Sequence, residues 1–560
     1  MTSHVQPYCS RATVAQLEPS FLSQKASRQE QAVRLSLLLI ASFLLLSSPL
    51  SCEVRSLHAQ PNHISEQTKA KLAAYQAMLQ LIDSYYVEER HVGGLIDSLM
   101  SAVMSKLDPH SYYNDPEDYA SNKAYYSGEE ERFGFRYECY NGQAVVQTVA
   151  EGSSAADAGL LPGDRIESVW GQPVSTLSED ELYEVALGGK RIEMVISRNA
   201  GRKRMPIKMD RRVIYDKSVE VAEMLDQITG YIYLSGFIAT SYFEVKRVLE
   251  DFTALGMKKL IFDLRGNRGG LLREANYVAG LFLPYHTPLT GVKYRNDAVI
   301  RYDTSYMPGR YTDLELIVLI DQNSASAAEA VAGILQEYDR AVLIGQPTYG
   351  KGVSQQQFSL PDGGSFMMTT AKYYMPSGRC IQRIYDGANY VQAHPALEAG
   401  LNMDHEKDKQ VSFDGIYKTK GGRTVYGGQG VIPEIIVELD TVPAVLPELN
   451  KLDVFERFAD TMLNLNAEIL LSKYRDARSF VQGYQPKKEM LALFTKQAGV
   501  LGLKDAPRRL QPVTDQLLHL IKRWFTHRLY PQTGWIVSGR STDAQYKEAV
   551  RLVKQQLVLK

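Results

Sequence analysis

The spacing of apolar residues changes several times along this chain, and each change predicts a different secondary structure. Between residues 65 and 125, apolar side chains recur every three or four positions, as at Leu72, Tyr75 and Leu79. This repeat predicts amphipathic helices. A second predicted helix runs from about Val92 to Leu107 and stops before an Asp-Pro pair, because proline disfavours helical geometry in the residue before it.

Residues 126–212 follow a different pattern, with short alternating stretches separated by glycine turns. This pattern predicts a β-rich domain. One small helix is predicted within it, at Ser153–Ala158. The last part of the chain, over residues 446–560, has helical spacing again.

Between residues 214 and 380, runs rich in β-branched and aromatic residues alternate with helical repeats. Strands are predicted at Gly230–Phe237, from Lys258 onward, and at Glu315–Asp321. A helical repeat separates the first two of these strands. The order strand–helix–strand predicts a largely parallel sheet with helices covering both faces.

These changes of pattern predict an α/β multidomain protein, and its 560 residues suit about three or four folded domains. The predicted segments are an N-terminal leader, a helical segment, a β-rich domain, an α/β core and a C-terminal helical region. Their boundaries are 1–52, 53–125, 126–213, 214–445 and 446–560.

The composition argues against several classes of function. The formal net charge is −1, so bulk charge favours neither nucleic acid nor an anionic surface as a partner. Four cysteines at irregular spacing fit neither a disulfide scaffold nor a zinc site. His394 and His405 lack metal-ligand spacing on any predicted element. We therefore expect no metal and no organic cofactor.

An apolar run near the N-terminus predicts the location of the protein. Residues 35–50 read LSLLLIASFLLLSSPL and follow the basic residues Arg28 and Arg34. A spanning helix needs about 20 residues, so this shorter run fits the apolar part of an export signal. A lipid anchor at Cys52 and an uncleaved, membrane-bound signal stay open as alternatives. All three predict an exported protein of the periplasm or cell envelope.

The stretch from residue 321 to residue 355 holds the strongest candidate chemistry. A polar turn with Ser324 and Ser326 precedes a run of helical spacing, so both serines lie at or just before a helix N-terminus. A serine there can attack a carbonyl group while nearby N–H groups receive the oxyanion. A short strand follows, and then Lys351 between two glycines. The alternative is an ordinary capped helix, because serine is common at helix starts.

A second turn, after the strand that begins at Lys258, holds Asn267, Gly269 and Gly270. Glycines of this kind let backbone N–H groups approach a ligand closely. A phosphate-binding loop is a weaker interpretation, because no Gly-Lys-Ser/Thr sequence follows.

These segments resemble those of the C-terminal processing peptidases, also called tail-specific proteases. The resemblance rests on SASA-x-E, on GKG-x-x-Q and on DLR-x-N-x-GG, which occur in the order of that family. It implies Ser326 as the nucleophile, Lys351 as the general base and Gln355 as the residue that orients the lysine. It also matches Glu329 to a glutamate of the same helix. Glu337 stands where some members have an aspartate, and we assign it no role.

The resemblance further implies an oxyanion hole from the N–H of Gly269 or Gly270 together with that of Ala327. Other matching segments are LDPHSYY at 107–113, TTAKYYMPSGRCIQ at 369–382 and GGQGVIPEI at 427–435. His110 of the first segment is not expected to be catalytic, because the family does not use it. A Ser/His/Asp triad with His286 stays a poorly supported alternative.

The run AADAGLLPGDRIESVWG is similar to PDZ domains, so residues 126–213 are expected to bind peptides. PDZ domains add an extended peptide to a sheet edge and hold its terminal carboxylate with backbone amides. By position, Gly134 and Phe135 match the carboxylate-binding loop. The alternative is a β-rich domain without a ligand.

The sequence therefore predicts an exported serine endopeptidase that acts on proteins or peptides with free C-termini. The lysine must be neutral to act as a base, and burial lowers the pKa of a lysine by disfavouring its charged form. The alternative is an inactive PDZ scaffold or chaperone. A homo-oligomer and membrane association through the N-terminal segment stay open, and no nucleic acid is expected.

Overall fold

The structure is a computed structural model, and it describes residues 65–306, 309–386, 389–390, 415–438 and 442–555. The chain divides into two units, Met1–Glu66 and Gln67–Lys560. The first is almost wholly outside the described residues, so the predicted export signal lies outside them too. His394 and His405 also lie outside the described residues, between positions 390 and 415.

The helices are numbered in chain order. They are α1 (Glu66–Tyr85), α2 (Val92–Met104), α3 (Pro116–Ser127), α4 (Ser154–Asp157), α5 (Glu179–Leu187), α6 (Ser241–Ala254), α7 (Leu272–Gly280), α8 (Ala327–Glu337), α9 (Val445–Lys451), α10 (Val454–Lys473), α11 (Ala477–Gly483), α12 (Glu489–Val500), α13 (Ala506–Leu510), α14 (Thr514–Leu529), α15 (Gly534–Gly539) and α16 (Ala544–Lys554).

The strands are numbered in the same way. They are β1 (Tyr112–Asn114), β2 (Glu129–Arg132), β3 (Phe135–Tyr140), β4 (Gln143–Val149), β5 (Arg165–Val169), β6 (Gln172–Pro173), β7 (Arg191–Arg198), β8 (Lys203–Asp210), β9 (Arg212–Tyr215), β10 (Val219–Met224), β11 (Thr229–Leu234), β12 (Lys259–Asp263), β13 (Pro288–Tyr294), β14 (Arg301–Thr304), β15 (Glu315–Ile320), β16 (Val342–Gly345), β17 (Val353–Ser359), β18 (Ser365–Tyr374), β19 (Tyr385–Asp386), β20 (Asn389–Tyr390), β21 (Ile416–Lys418), β22 (Thr424–Tyr426) and β23 (Ile435–Ile436).

A six-stranded sheet forms the centre of the α/β core, in the order β10-β11-β12-β15-β16-β23. Its strands run parallel except for β10, which pairs antiparallel with β11. Helices α6, α7 and α8 cover one face of this sheet and form the main apolar core with it. Helix α16 covers the other face through Ala549, Leu552 and Val553. The predicted parallel sheet is confirmed, and the C-terminal region supplies a helix that covers its second face.

A second sheet of the core is antiparallel and has the order β1-β18-β13-β14, with β17 also paired to β18. Strand β1 joins it by pairing Tyr112 with Met367 and Asn114 with Ser365. The segment just before β1 is therefore carried to the strands that follow Lys351. The pairing of β1 with β18, which are far apart in sequence, thus brings the LDPHSYY segment to the candidate site.

The β-rich domain is a six-stranded sheet ordered β3-β4-β5-β7-β8, with the short β6 paired to β5. Its apolar residues form a separate core that includes Val146, Ile166 and Ile196. Strands β2 and β9 pair with each other where the chain enters and leaves this domain. The two connections therefore run side by side, as expected for a domain inserted into the chain.

The C-terminal helices α9–α14 share an apolar core that includes Phe455, Phe458 and Phe525. Helix α10 also contacts the β-rich domain, because Asn464 Nδ2 donates to the carbonyl groups of Gly163 (2.7 Å) and Ser197 (3.1 Å). The predicted helical character of this region is confirmed.

The N-terminal helices depart from the expected packing. The apolar stripe of α1 is not buried, and the side chain of Leu72 is 56% exposed. Helix α2 ends at Met104, before the predicted Leu107, and the segment turns around Asp108, whose side chain accepts the N–H groups of His110 and Ser111. Over the described residues, no helix combines the length and the apolarity that crossing a bilayer would require.

Candidate active site

The two serines of the 321–355 stretch have different environments. Ser324 is fully buried, and its hydroxyl donates to the carbonyl of Leu264 (2.8 Å) while it accepts the N–H of Asp321 (3.0 Å). Ser326 is half-buried and directly precedes α8. Its φ of 54° lies in the left-handed region, which a non-glycine residue rarely adopts and which is found at strained functional sites. Ser326 is therefore the serine that a substrate can reach.

Glu329, in the first turn of α8, connects the serine to the lysine. Its carboxylate accepts the N–H of Ser326 (2.8 Å), of Gly350 (2.7 Å) and of Lys351 (2.8 Å). The hydroxyl of Thr348 donates a fourth hydrogen bond at 2.5 Å. Burial raises the pKa of Glu329 and these four bonds oppose the rise. All four partners donate, so the arrangement suits the ionised carboxylate.

Tyr373 on β18 forms a second connection between the two segments. Its hydroxyl lies 3.0 Å from the carbonyl oxygen of Ser326 and 2.8 Å from that of Lys351. The side chain is almost fully buried, and burial raises the pKa of Tyr373 well above its usual value, so it stays a donor. Glu329 thus fixes the N–H groups and Tyr373 the carbonyl groups of the same two residues.

The side chain of Lys351 is held by Gln355. Lys351 Nζ donates to Gln355 Oε1 at 2.6 Å, and Gln355 Nε2 donates to the carbonyl oxygen of His110. Burial lowers the pKa of Lys351, and the negative charges of Glu329 and Asp108 oppose that fall. Because Gln355 is neutral, it orients the ammonium group without raising the pKa as a carboxylate would.

His110 lies close enough to feel the charge of Lys351. Burial lowers the pKa of His110 to about 4, the charge of Lys351 adds to the fall, and Asp108 opposes it. The imidazole is therefore neutral near pH 7. Its backbone carbonyl contributes to the site by accepting from Gln355. His286, the other histidine considered, lies in an exposed turn, where its N–H donates to Ser305.

The glycine turn after β12 packs directly against the serine. A side-chain carbon on Gly269 would come within 2.8 Å of Ser326 Cβ and 2.9 Å of the nitrogen of Ala327. The turn is held by Asn267, whose Oδ1 accepts the N–H of Gly269 (2.8 Å) and whose carbonyl accepts that of Ala325 (2.9 Å). Glycine at 269, with φ of 98°, is what permits this close approach.

Two N–H groups beside Ser326 have no acceptor among the described residues, those of Gly270 and Ala327. The carbonyl of Gly269 accepts from Phe237 (2.9 Å). In a trans peptide the N–H points opposite to the carbonyl, so the N–H of Gly270 points away from Phe237. Of the two glycines expected to donate, Gly269 already donates to Asn267, which leaves Gly270 as the available donor.

The expected carboxylate-binding loop lies at the start of an edge strand. Gly134 has φ of 87°, its carbonyl accepts the N–H of Ala150 (2.7 Å), and a side-chain carbon there would strike Ser153. Phe135 begins β3, the outer strand of its sheet. Phe135 and Tyr137 pack against the domain core on the same side of β3. Burial raises the pKa of Tyr137 to about 12, with smaller effects from neighbours that include α5 residues.

Several residues of the site were not identified from the sequence. Asp108 holds the LDPHSYY turn, Thr348 donates to Glu329, and Tyr373 bridges the two candidate catalytic segments. Thr348 and Tyr373 lie in segments that matched by resemblance, but nothing local marks their partners. Glu337 instead forms a buried ion pair with Arg379 (2.9 Å). Within the described part of the chain, no cluster of three or more His, Cys, Asp or Glu residues could hold a metal ion.

Comparison with known protein families agrees with this architecture. A model of Peptidase family S41 matches residues 228–388, which include Ser326, Lys351 and Gln355. A PDZ domain model matches residues 145–198, within the β-rich domain. The fold and these two matches define a serine protease that carries a PDZ domain.

Curated relatives specify the group further. The chain is 31% identical over 367 residues to a carboxy-terminal-processing protease of Bartonella bacilliformis, covering 62% of this chain and 84% of that protein. It is 32% identical over 290 residues to a carboxyl-terminal-processing protease of Synechocystis, covering 50% of this chain and 67% of that protein. The chain belongs to Peptidase family S41, among the carboxy-terminal processing proteases.

Among solved structures, a photosystem II D1 C-terminal processing protease matches with a TM-score of 0.33 and 20% identity. The match covers 70% of this chain and 97% of that chain.

Proposed function

We propose that this chain is an exported endopeptidase in which Ser326 is the nucleophile and Lys351 the general base. The observation that carries the proposal is the Glu329 carboxylate, which accepts the N–H of both residues at 2.8 Å. The serine and the lysine are thereby fixed relative to each other although they lie on different segments. Ser324 is unsuitable as a nucleophile, because it is buried and its hydroxyl is already bonded.

The chemistry follows from this arrangement. Neutral Lys351 takes the proton from Ser326 Oγ as that oxygen attacks the scissile carbonyl, and the N–H groups of Gly270 and Ala327 receive the oxyanion. The lysine then protonates the leaving amine, and a water molecule hydrolyses the acyl-enzyme by the reverse sequence. Gln355 holds the amine in place through the steps in which its charge changes.

We propose that the PDZ domain selects substrates by their free C-terminal tails. Among the described residues β3 pairs only with β4, so its outer edge can accept an extended peptide. The loop at Gly134 and Phe135, at the start of β3, is our candidate for holding the terminal carboxylate. Binding the tail there raises the effective concentration of an upstream segment at Ser326.

Export is part of the proposal and is supported by the apolar run at residues 35–50 and its basic flank. We expect the body of the protein in the periplasm or cell envelope. Cell fractionation, with the mass of the mature N-terminus, tests this and separates a cleaved signal from a lipid anchor at Cys52. A protein found in the cytoplasm with an intact N-terminus would contradict it.

The decisive experiment identifies the nucleophile. A fluorophosphonate probe should label the intact enzyme on Ser326, as read by peptide mass spectrometry. Ser326→Ala and Lys351→Ala should each lose activity on a peptide substrate by several orders of magnitude while thermal unfolding shows a folded protein. Labelling on Ser324, or an active Ser326→Ala variant, would refute the assignment. A folded wild-type enzyme that cleaves nothing would favour the inactive scaffold.

A further inference from the structure

Arg265 opens the glycine turn and is held from two sides. Its Nε and Nη2 donate to the Asp263 carboxylate at 2.9 and 2.6 Å. Its Nη1 faces the opposite way, to Asp543 Oδ2 at 2.6 Å and to Gln545 Oε1 at 3.1 Å. Asp263 is fully buried, and only 16% of the Arg265 side chain is exposed. One edge of the guanidinium thus belongs to the core and the other to the C-terminal region.

Asp543 and Gln545 lie at the start of α16, which covers the second face of the central sheet. The Asp543 side chain also caps α16 by accepting the N–H of Tyr546 (2.9 Å). Gln545 is 4% exposed, so its amide is fixed where it meets Arg265. The guanidinium therefore has a partner held in place on each edge: buried Asp263 on one, and buried Gln545 with the helix-capping Asp543 on the other. These partners restrict its position far more than one exposed ion pair would.

The position of Arg265 bears on Ser326 because the turn between them is short and is held by hydrogen bonds from the N–H groups of Gly266 and Gly269. Next to Arg265, the N–H of Gly266 donates to Asp321 Oδ1 (2.9 Å). Asp321 also accepts the N–H of Ser324 (3.0 Å), so the same carboxylate ties the glycine turn to the serine turn. Three residues beyond Gly266, Gly269 contacts Ser326.

We propose that Asp543 and Gln545 are positioning residues for the oxyanion donor, acting through Arg265. The C-terminal helical region thereby completes the active site without touching the substrate. This inference rests on the proposed function, in which Ser326 is the nucleophile and the glycine turn supplies an oxyanion N–H. A shifted turn would weaken binding of the tetrahedral intermediate but leave binding of the ground-state substrate unchanged.

The test uses full-length Asp543→Asn and Gln545→Met variants. Asparagine is as good a helix cap as aspartate, so Asp543→Asn removes the charge facing Arg265 while keeping the start of α16. We expect kcat to fall about tenfold to a hundredfold, as for other small misplacements of catalytic groups. KM should stay unchanged. The Ki of a peptide boronic acid, which forms a tetrahedral adduct with the serine, should rise by the same factor as kcat falls.

Lys259→Met is the matched control. Lys259 begins β12, at the end opposite Arg265, and its Nζ donates to the carbonyl of Val553 (2.8 Å) in the same helix α16. This variant breaks a buried contact between α16 and the sheet without touching the glycine turn. It should lower the unfolding temperature at least as much as Asp543→Asn, with kcat and the boronate Ki unchanged. Asp543→Glu, which keeps the charge, should restore part of kcat.

Unchanged kcat in both Asp543→Asn and Gln545→Met would overturn the proposal. So would a Lys259→Met variant whose kcat falls in proportion to its stability, since the effect would then be general. Failure of the proposed function looks different: the boronic acid would not bond to Ser326 in the wild-type enzyme, and Ser326→Ala would stay active.

Discussion

Glu329→Gln removes one charge at the connection between the serine and the lysine and changes little in shape. The side chain is fully buried and accepts four hydrogen bonds. Oε2 accepts from Ser326 and Lys351, and Oε1 from Thr348 and Gly350. A glutamine offers an oxygen to only one of these pairs and turns an NH₂ group towards the other.

The cost can be worked from this geometry. Whichever way the amide is turned, two buried donors lose their acceptor, and each such loss costs about 1–3 kcal/mol. The free energy of unfolding should therefore fall by about 2–6 kcal/mol, a large share of the roughly 5–15 kcal/mol typical of a folded domain. Where the amide faces Ser326 and Lys351, those residues also lose their common anchor. A misplacement of about 1 Å costs on the order of a hundredfold in rate, so kcat should fall by about that factor.

The pH dependence carries the more specific prediction. The negative charge of Glu329 raises the pKa of Lys351 and opposes the effect of burial. Removing the charge should lower the pKa of Lys351 further. Activity requires the neutral amine, so it rises with pH through this pKa, and the acidic limb of the pH–rate profile should move to lower pH. The variant should thus be slower at its optimum, yet keep a larger share of its maximum in acid.

The assay is kcat/KM for a peptide substrate against pH, with thermal unfolding at each pH to confirm that the protein is folded. Glu337→Gln is the matched control, because Glu337 is on the same helix, is 2% exposed, and pairs with Arg379 away from the serine and lysine. It should reduce stability without moving the acidic limb. An acidic limb that stays in place or moves to higher pH in Glu329→Gln would refute the reasoning, and so would an equal shift in Glu337→Gln.

Three other predictions concern separate parts of the site. Gly269→Ala should abolish activity, because the added carbon would lie 2.8 Å from Ser326 Cβ. The control Gly378→Ala, at a glycine with a similar positive φ but open space around it, should lower only stability, and equal activity in the two variants would contradict the prediction. Gln355→Glu should raise the pKa of Lys351 and move the acidic limb to higher pH, and an unmoved limb would argue against Lys351 as the base. Amidating a substrate's C-terminus should raise KM in the intact enzyme, and equal cleavage of free and amidated forms would rule out tail recognition.

Local patterns in the sequence predicted the elements that local forces control. Residue content indicated the strands around β12 and β15, and their alternation with helices indicated a parallel sheet. Periodicity indicated the helix that begins after Ser326 and the helical C-terminal region, because helix repeats depend on neighbours within a few positions. Motif resemblance indicated Ser326, Lys351 and Gln355 as one set. Their roles stay a proposal, but the structure brings the lysine and glutamine side chains together and ties the serine to the lysine.

The tertiary structure decided what depends on residues far apart in the chain. Two serines in one turn look alike in sequence, and only packing shows that Ser324 is buried and bonded while Ser326 is partly exposed. The choice between Gly269 and Gly270 required the bond from Gly269 to Asn267. The apolar stripe of α1 predicted a helix correctly, yet its exposure in this chain could not be read from periodicity, which says which residues share a face and not what covers it.

The contacts that complete the site join segments that are far apart in the chain. Gln355 donates to the carbonyl of His110, 245 residues away in the chain. Arg265 is held by Asp543 and by Gln545, and Gln545 is 280 residues away from it. No periodicity or spacing encodes such pairs, because each polar side chain has many chemically equivalent partners along the chain. Burial makes an unpaired donor costly, so the fold that covers these groups also selects which of them bond. The sequence by itself thus determined the elements and the residues available for chemistry, and the packing of the sheets and helices determined their partners.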